Sequence, residues 1–285
     1  MKMTQLLTAL ALTLLCGAQA MALSPLGPPK AQLGQGKWGL GFDAGYQNMD
    51  LDVSGTYREY ISGPGNLADC TLTIKDLKSQ PVFGRISLGL NDNWDVFACL
   101  GAVNAKDDLV TQKGADSSLF YFYNNSDTYS LDGSHDFAWG VGTRFTLLEQ
   151  EKISWGGVFR MTWQNPKAST NSSVNNTYSE TLTQDLDLEY WEFVFAFGPT
   201  VNFGQISLYG GPMIHFVRGD LDVTGTFTGS DNGSVKADFD VEEESVIGGY
   251  AGAQWQMAEN LCWYVDGQGT GNAWAVGVGA LWRVQ

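Results

Sequence analysis

Strict two-residue alternation in about ten segments, tryptophans near segment ends on one face, and connections that alternate short and long predict an all-β chain. The expected fold is an up-and-down antiparallel β-barrel of about ten strands. The outward face of each segment is apolar and edged by aromatic rings, the pattern a bilayer imposes on strands that cross it. The barrel is therefore expected to be transmembrane, with short periplasmic turns and long extracellular loops.

The N-terminus carries Met1-Lys2, an apolar stretch from Leu6 to Leu15, then Ala18-Gln19-Ala20. A basic start, an apolar core and a small-x-small site describe a secretory signal peptide, cleaved after Ala20 or Ala22. Cys16 invites a lipoprotein reading, which bulky Leu14 and Leu15 oppose. The expected division is 1–22 signal peptide, 23–36 lead-in linker and 37–285 barrel. The lead-in holds three prolines and no alternation. Beyond residue 22 no run reaches the ~18 apolar residues of a transmembrane helix. The remaining chain, about 260 residues, shows no composition break that would divide it into domains.

A net charge of −15 excludes nucleic acid, whose phosphates it would repel, and suits a surface that faces cations. Cys70, Cys99 and Cys262 are odd in number and lack short spacing, so neither a disulfide framework nor a metal site is expected. No cofactor is expected.

The first strand carries Trp38, Leu40, Phe42, Ala44 and Tyr46 on one face. Val82, Ile86, Leu88 and Leu90 mark the second, and Trp94, Val96, Ala98 and Leu100 the third. Phe137 to Leu147 and Ile153 to Trp163 supply the fourth and fifth. The second half repeats the design with Trp191 to Phe197, Ile206 to Phe216, Ile247 to Trp255, Leu261 to Val265 and Trp274 to Trp282. Short connections fall at Asn91-Asp92-Asn93, Leu148 to Lys152, Phe203-Gly204 and Ala258-Glu259-Asn260. Long ones run Met49 to Ser79, Ala105 to Gly133, Asn165 to Asp187 and Gly219 to Glu243. The outer connection at Thr270 to Asn272 is short, the one irregularity. Matching outward faces across the short turns pairs Leu90 with Trp94, Leu147 with Ile153, Asn202 with Gln205 and Met257 with Leu261.

This pattern resembles the bacterial outer-membrane β-barrel proteins of the small single-chain kind over nearly all of the mature length. The resemblance implies a place in the cell outer membrane, lipid and lipopolysaccharide as neighbours, and insertion by the barrel-assembly machinery. The chain departs from it by ending Trp282-Arg283-Val284-Gln285 rather than on an aromatic residue. A monomer is expected.

Asp43, Arg85, Asp95, Arg144, Arg160, Glu192, Asp266 and Arg283 all fall on the non-lipid face. An arginine facing lipid at the midplane would cost roughly 2–4 kcal/mol, so this sorting supports the strand parity. Ten strands enclose a backbone cylinder of roughly 20 Å. Inward aromatic residues make the lumen narrow or blocked. Arg160, Glu192 and His215 are expected to meet in the upper lumen as a polar cluster that closes it. Ten-stranded outer-membrane proteases are similar in strand number, but their acidic pairs and Asp-x-His element are missing. Met213-Ile214-His215 has no Asp where that element needs one, so no catalytic residue is assigned.

Asp50-Leu51-Asp52-Val53-Ser54-Gly55-Thr56 recurs as Asp220-Leu221-Asp222-Val223-Thr224-Gly225-Thr226. Continued parity turns these aspartates to water and Leu and Val inward. Asp50, Asp52, Asp220 and Asp222 form a candidate cation-binding loop, though no known calcium-loop spacing fits. The function expected is a non-enzymatic structural or surface-interaction barrel acting through acidic loops. A narrow channel for small solutes is the alternative, and an outer-membrane hydrolase comes third.

Overall fold

The computed structural model describes residues 25–61, 66–110, 128–175, 180–228, 233–243 and 246–284. The expected signal peptide lies outside them. Among the described residues, twelve antiparallel strands form one sheet: β1 (Trp38–Ile61), β2 (Asn66–Asn91), β3 (Trp94–Val110), β4 (Thr128–Glu149), β5 (Ile153–Gln164), β6 (Lys167–Asn175), β7 (Glu180–Phe203), β8 (Ile206–Thr228), β9 (Gly233–Glu242), β10 (Ile247–Ala258), β11 (Leu261–Gly269) and β12 (Ala273–Val284). The ring closes through β12 on β1 and β8 on β7, with the order β1-β2-β3-β4-β5-β7-β8-β10-β11-β12. Those are the ten strands that the alternation predicts. The end bearing the short turns is called lower here and the opposite end upper.

The outside of the ring is apolar although exposed. Leu100, Phe137 and Ile247 are 65%, 58% and 75% exposed, and seven tryptophans from Trp38 to Trp282 range from 41% to 53%. Such a surface has no stable contact with water around it. Trp139, Trp163 and Trp191 stand in one cross-strand row at the upper boundary. Trp255 faces Trp263 at the lower one. The indole N–H of Trp163 donates to Glu189 at 2.8 Å, so this ring keeps its body in lipid and its polar edge toward charge. A closed, even-numbered ring with such a band is a transmembrane barrel of the outer-membrane type. A soluble sandwich would instead bury its tryptophans in an inner face.

Turn chemistry sets the lower rim. Gly204 adopts φ +77° in the two-residue β7–β8 turn, which a side chain would resist. Bulges near Gly89/Asn91, Thr146/Leu148 and Gln256/Ala258 absorb the other short turns. Two expected registers, Leu90 with Trp94 and Met257 with Leu261, hold along the ladders (Gly89 with Asp95, Gln256 with Cys262), while the bulge at each turn moves the last pair to Asn91 with Trp94 and Ala258 with Leu261. The other two are shifted by two residues. Asn202 faces Ser207, and Thr146 faces Gly156. A two-residue shift preserves which face points inward, so side-chain sorting survives it.

The described parts of the long connections are largely strand. β1, β2, β7 and β8 continue well past the tryptophan row, and β6 and β9 add to them. β9 inserts between β8 and β1 from Glu242 onward, where β10, β11 and β12 have ended. The ring thus exchanges three strands for one as it leaves the membrane. The short β11–β12 turn tucks under this junction, where Asp50 N–H donates to the Asn272 carbonyl at 2.8 Å. That accounts for the irregular short connection at Thr270 to Asn272.

Inside the upper barrel lies a dry core: Leu51 and Val53 of β1, Ile74 and Leu77 of β2, Leu188 of β7, Leu221 of β8, and Phe239 and Val241 of β9. Each such side chain, fully buried, contributes about 1.5–3 kcal/mol. Both copies of the internal repeat supply this core, and both pair with β9 from opposite sides. The duplication is therefore one strand solution used twice around a shared neighbour.

Candidate functional site

The lower lumen is built on charge. Asp43 of β1 accepts from Arg85 Nη1 at 3.1 Å and from the Tyr264 hydroxyl, and Arg160 Nη1 stands 3.6 Å away. Arg85 lies 5.6 Å from the ring centres of both Phe97 and Tyr264. Arg144 lies 5.0 Å over Phe97, and Arg160 5.0 Å over Phe83. These rings offer their negative faces to guanidinium groups that one carboxylate cannot satisfy alone. All of these residues are buried. Inward glycines admit the rings: a methyl group at Gly252 would stand 2.5 Å from Tyr209 Cζ.

Residues 25–36, expected as a linker, enter the ring from the lower end and occupy this space. Asp266 of β11 accepts from Gly27 N–H at 2.8 Å and Leu26 N–H at 3.4 Å. Asp95 of β3 accepts from Gln32 N–H at 2.5 Å and Leu33 N–H at 3.3 Å. Arg144 donates to the Leu26 carbonyl at 2.6 Å, Arg160 to that of Pro25 at 3.3 Å, and Arg283 to that of Gln32 at 2.9 Å. Gly27, at φ +70°, brings its Cα so near Arg144 and Tyr264 that a side chain would crowd both. The segment lacks alternation because it belongs to no ladder. Its unpaired backbone groups find the wall's charges instead.

Higher up, His215 lies between two carboxylates. Its Nε2 is 3.1 Å from Glu192 Oε1, and its Nδ1 is 2.6 Å from Glu243 Oε2. Glu192 also accepts from Gln164 Nε2 at 3.0 Å and Thr162 Oγ1 at 3.3 Å. Thr270 donates to Glu243 at 3.0 Å. The expected cluster of Arg160, Glu192 and His215 is corrected on one member: Arg160 turns down toward Asp43, and Glu243 takes its place. The sequence reading placed Glu243 at the end of the long connection from Gly219. Its signal was the unbroken alternation Val235, Ala237, Phe239, Val241, Glu243, which carries it onto the inner face. His215 is fully buried.

Outside, just above the tryptophan row, β7, β8 and β9 carry facing carboxylates. Glu189 faces Asp220, which faces Asp240; Asp187 faces Asp222, which faces Asp238. They line a recess of about 430 Å³. Lys167 bonds Asp187 at 2.6 Å, Arg218 bonds Glu242 at 2.6 Å, and Lys236 approaches Asp238 at 3.3 Å. Like charges directly opposite on a sheet are destabilising. Slight desolvation, then a hydrogen bond with Asp238, holds the Asp222 carboxyl above its ordinary value. A carboxyl raised on folding favours the folded state below its unfolded pKa, and that contribution is lost as pH rises through the folded value. At neutral pH the collar is therefore self-repelling.

The four candidate cation ligands do not converge. Asp50 accepts from Asp76 N–H at 2.9 Å, and Asp52 faces Glu242, with β9 separating both from Asp220 and Asp222. Among the described residues, no group of three or more His, Cys, Asp or Glu is arranged to hold a metal ion. Cys99 and Cys262 are free and buried.

No family model and no curated protein matches the sequence. Among solved structures, the chain is similar to the translocator domain of the autotransporter NalP from Neisseria meningitidis. Identity is 12% over 89% of this chain and 90% of that one, with a TM-score of 0.41. The Pseudomonas putida toluene transporter TodX shares 10% identity over 93% and 95%, with a TM-score of 0.36. The outer membrane protease OmpT from Escherichia coli shares 10% over 86% and 97%, with a TM-score of 0.34. At these values the likeness assigns no activity. The transmembrane assignment rests on the closed ring and its apolar band.

Proposed function

We propose that this protein is a non-conducting, non-enzymatic anchor in the bacterial outer membrane that presents an acidic collar to the cell surface. The observation that carries the proposal is the paired rows of carboxylates on β7, β8 and β9, set directly above the tryptophan boundary over a filled lumen. At that height the collar faces lipopolysaccharide headgroups, which are also anionic. Divalent cations relieve both repulsions at once by bridging oxygen ligands on the two sides. Attraction of this kind is diffuse and needs no preformed chelate.

The test is the thermal unfolding of refolded protein in bilayers containing lipopolysaccharide, with Mg²⁺ or with a chelator. Mg²⁺ is expected to raise the midpoint by several degrees. Changing Asp220, Asp222, Asp238 and Asp240 together to Asn is expected to remove most of that dependence. A Mg²⁺ effect equal in the native and four-Asn proteins would contradict the proposal.

A further inference from the structure

The upper and lower halves of this lumen are closed by opposite means. Above the His215 cluster, mainly apolar side chains fill the ring. Below, Asp95, Asp266, Arg144, Arg160 and Arg283, contributed by five strands, point at the main chain of residues 25–33. Buried charges are a poor way merely to fill space, since apolar residues of similar volume stabilise a fold as well or better. The same chain demonstrates the cheaper solution a few ångströms higher.

The recognition is of backbone. Carboxylates take N–H groups, and guanidinium groups take carbonyls. Two side chains anchor the segment: Leu26 packs with Val158, Val194 and Met213, and Leu33 with Cys262 and Leu281. Between them Lys30 has only a 3.5 Å approach to Ser154, and Gln32 accepts from Gln254 at 3.2 Å. Charged acceptors and donors matched to an irregular, turned main chain, with two apolar anchors, constitute a peptide site. It opens at the lower end, where Gly36 N–H bonds the Gly89 carbonyl and an added Cβ at Gly36 meets nothing within 4 Å.

We infer that the lower lumen is a peptide-binding site open to the periplasm, with residues 25–36 as its resident and exchangeable ligand. It takes in trans a segment that can adopt the same turned path, with two leucines seven residues apart and proline or glycine near the first. The tether supplies a high effective concentration, so the resident excludes competitors until it is displaced.

The test uses the full chain with a protease recognition sequence inserted between Gln35 and Gly36. The protein is refolded in detergent, cut and washed. A fluorescein-labelled synthetic peptide with the sequence of residues 25–36 is then added and its anisotropy read. Saturable binding to the cut protein, and none to the uncut, is expected. An unlabelled peptide altered only at the positions of Lys30 and Ala31 should compete fully. One with both leucines changed to Asp should compete at least tenfold more weakly, and Asp95→Asn or Asp266→Asn in the cut barrel should weaken binding at least tenfold. Heat-modifiable gel migration reports the ring throughout. Three results would overturn the inference: loss of the ring on cutting, an intact ring that takes up no peptide, or binding indifferent to the leucines. None of these bears on the collar or on the apolar closure above, so this inference and the proposed function fail separately.

Discussion

Asp43→Asn is expected to cost about 3–5 kcal/mol of stability, the penalty for removing one partner of a buried ion pair. Asp43 is the carboxylate nearest to Arg85 and Arg160 and also accepts from Tyr264. Its amide replacement is nearly isosteric, so packing stays constant while the charge is lost. Arg85 then remains buried against Phe97 and Tyr264, whose rings offset only part of the desolvation. Urea unfolding of the refolded protein in lipid vesicles measures the loss. Adding Arg85→Met to Asp43→Asn should recover part of it, because the second change removes the charge the first left stranded. A single-mutant loss under 1 kcal/mol would mean that the arginines are satisfied elsewhere.

Leu51→Ala is expected to cost about 2–5 kcal/mol, as for a leucine removed from a packed core. By its place beyond the lipid band, Leu51 could have been a loop residue, where the same change is worth under about 0.5 kcal/mol. Its side chain is instead fully buried with Val53, Ile74 and Phe239. The same unfolding measurement separates the cases. A cost near zero would show that the upper barrel is not a cooperative part of the fold.

The ring was legible because a bilayer and a filled lumen act on alternate residues of every strand. Trp38, Leu40 and Phe42 must meet lipid, and Asp43 cannot. Face assignment tolerated a two-residue error in register, which is why His215 and Glu192 still meet although Glu192 faces Val217 rather than His215. Length was less legible. The acidic composition around Asp220 and Asp238 reads as loop, yet the alternation of Leu221, Val223, Phe239 and Val241 continues the sheet beyond the membrane. The lead-in was illegible for a physical reason. Its partners, from Asp95 to Arg283, lie on strands far away in sequence, and its own residues follow no period. Arg160 was misplaced because strand parity gives the face on which a residue lies, while its long side chain chooses the height at which it bonds.

Planar-bilayer recording on the refolded native protein tests the central claim most directly: a closed sheet, wetted outside by lipid and packed solid within. Insertion without single-channel steps, at either polarity and in high salt, is the expected result. Reproducible steps of constant amplitude would contradict it, because ions would then be crossing a space that Leu51, Phe239, Tyr264 and Arg144 are held to fill.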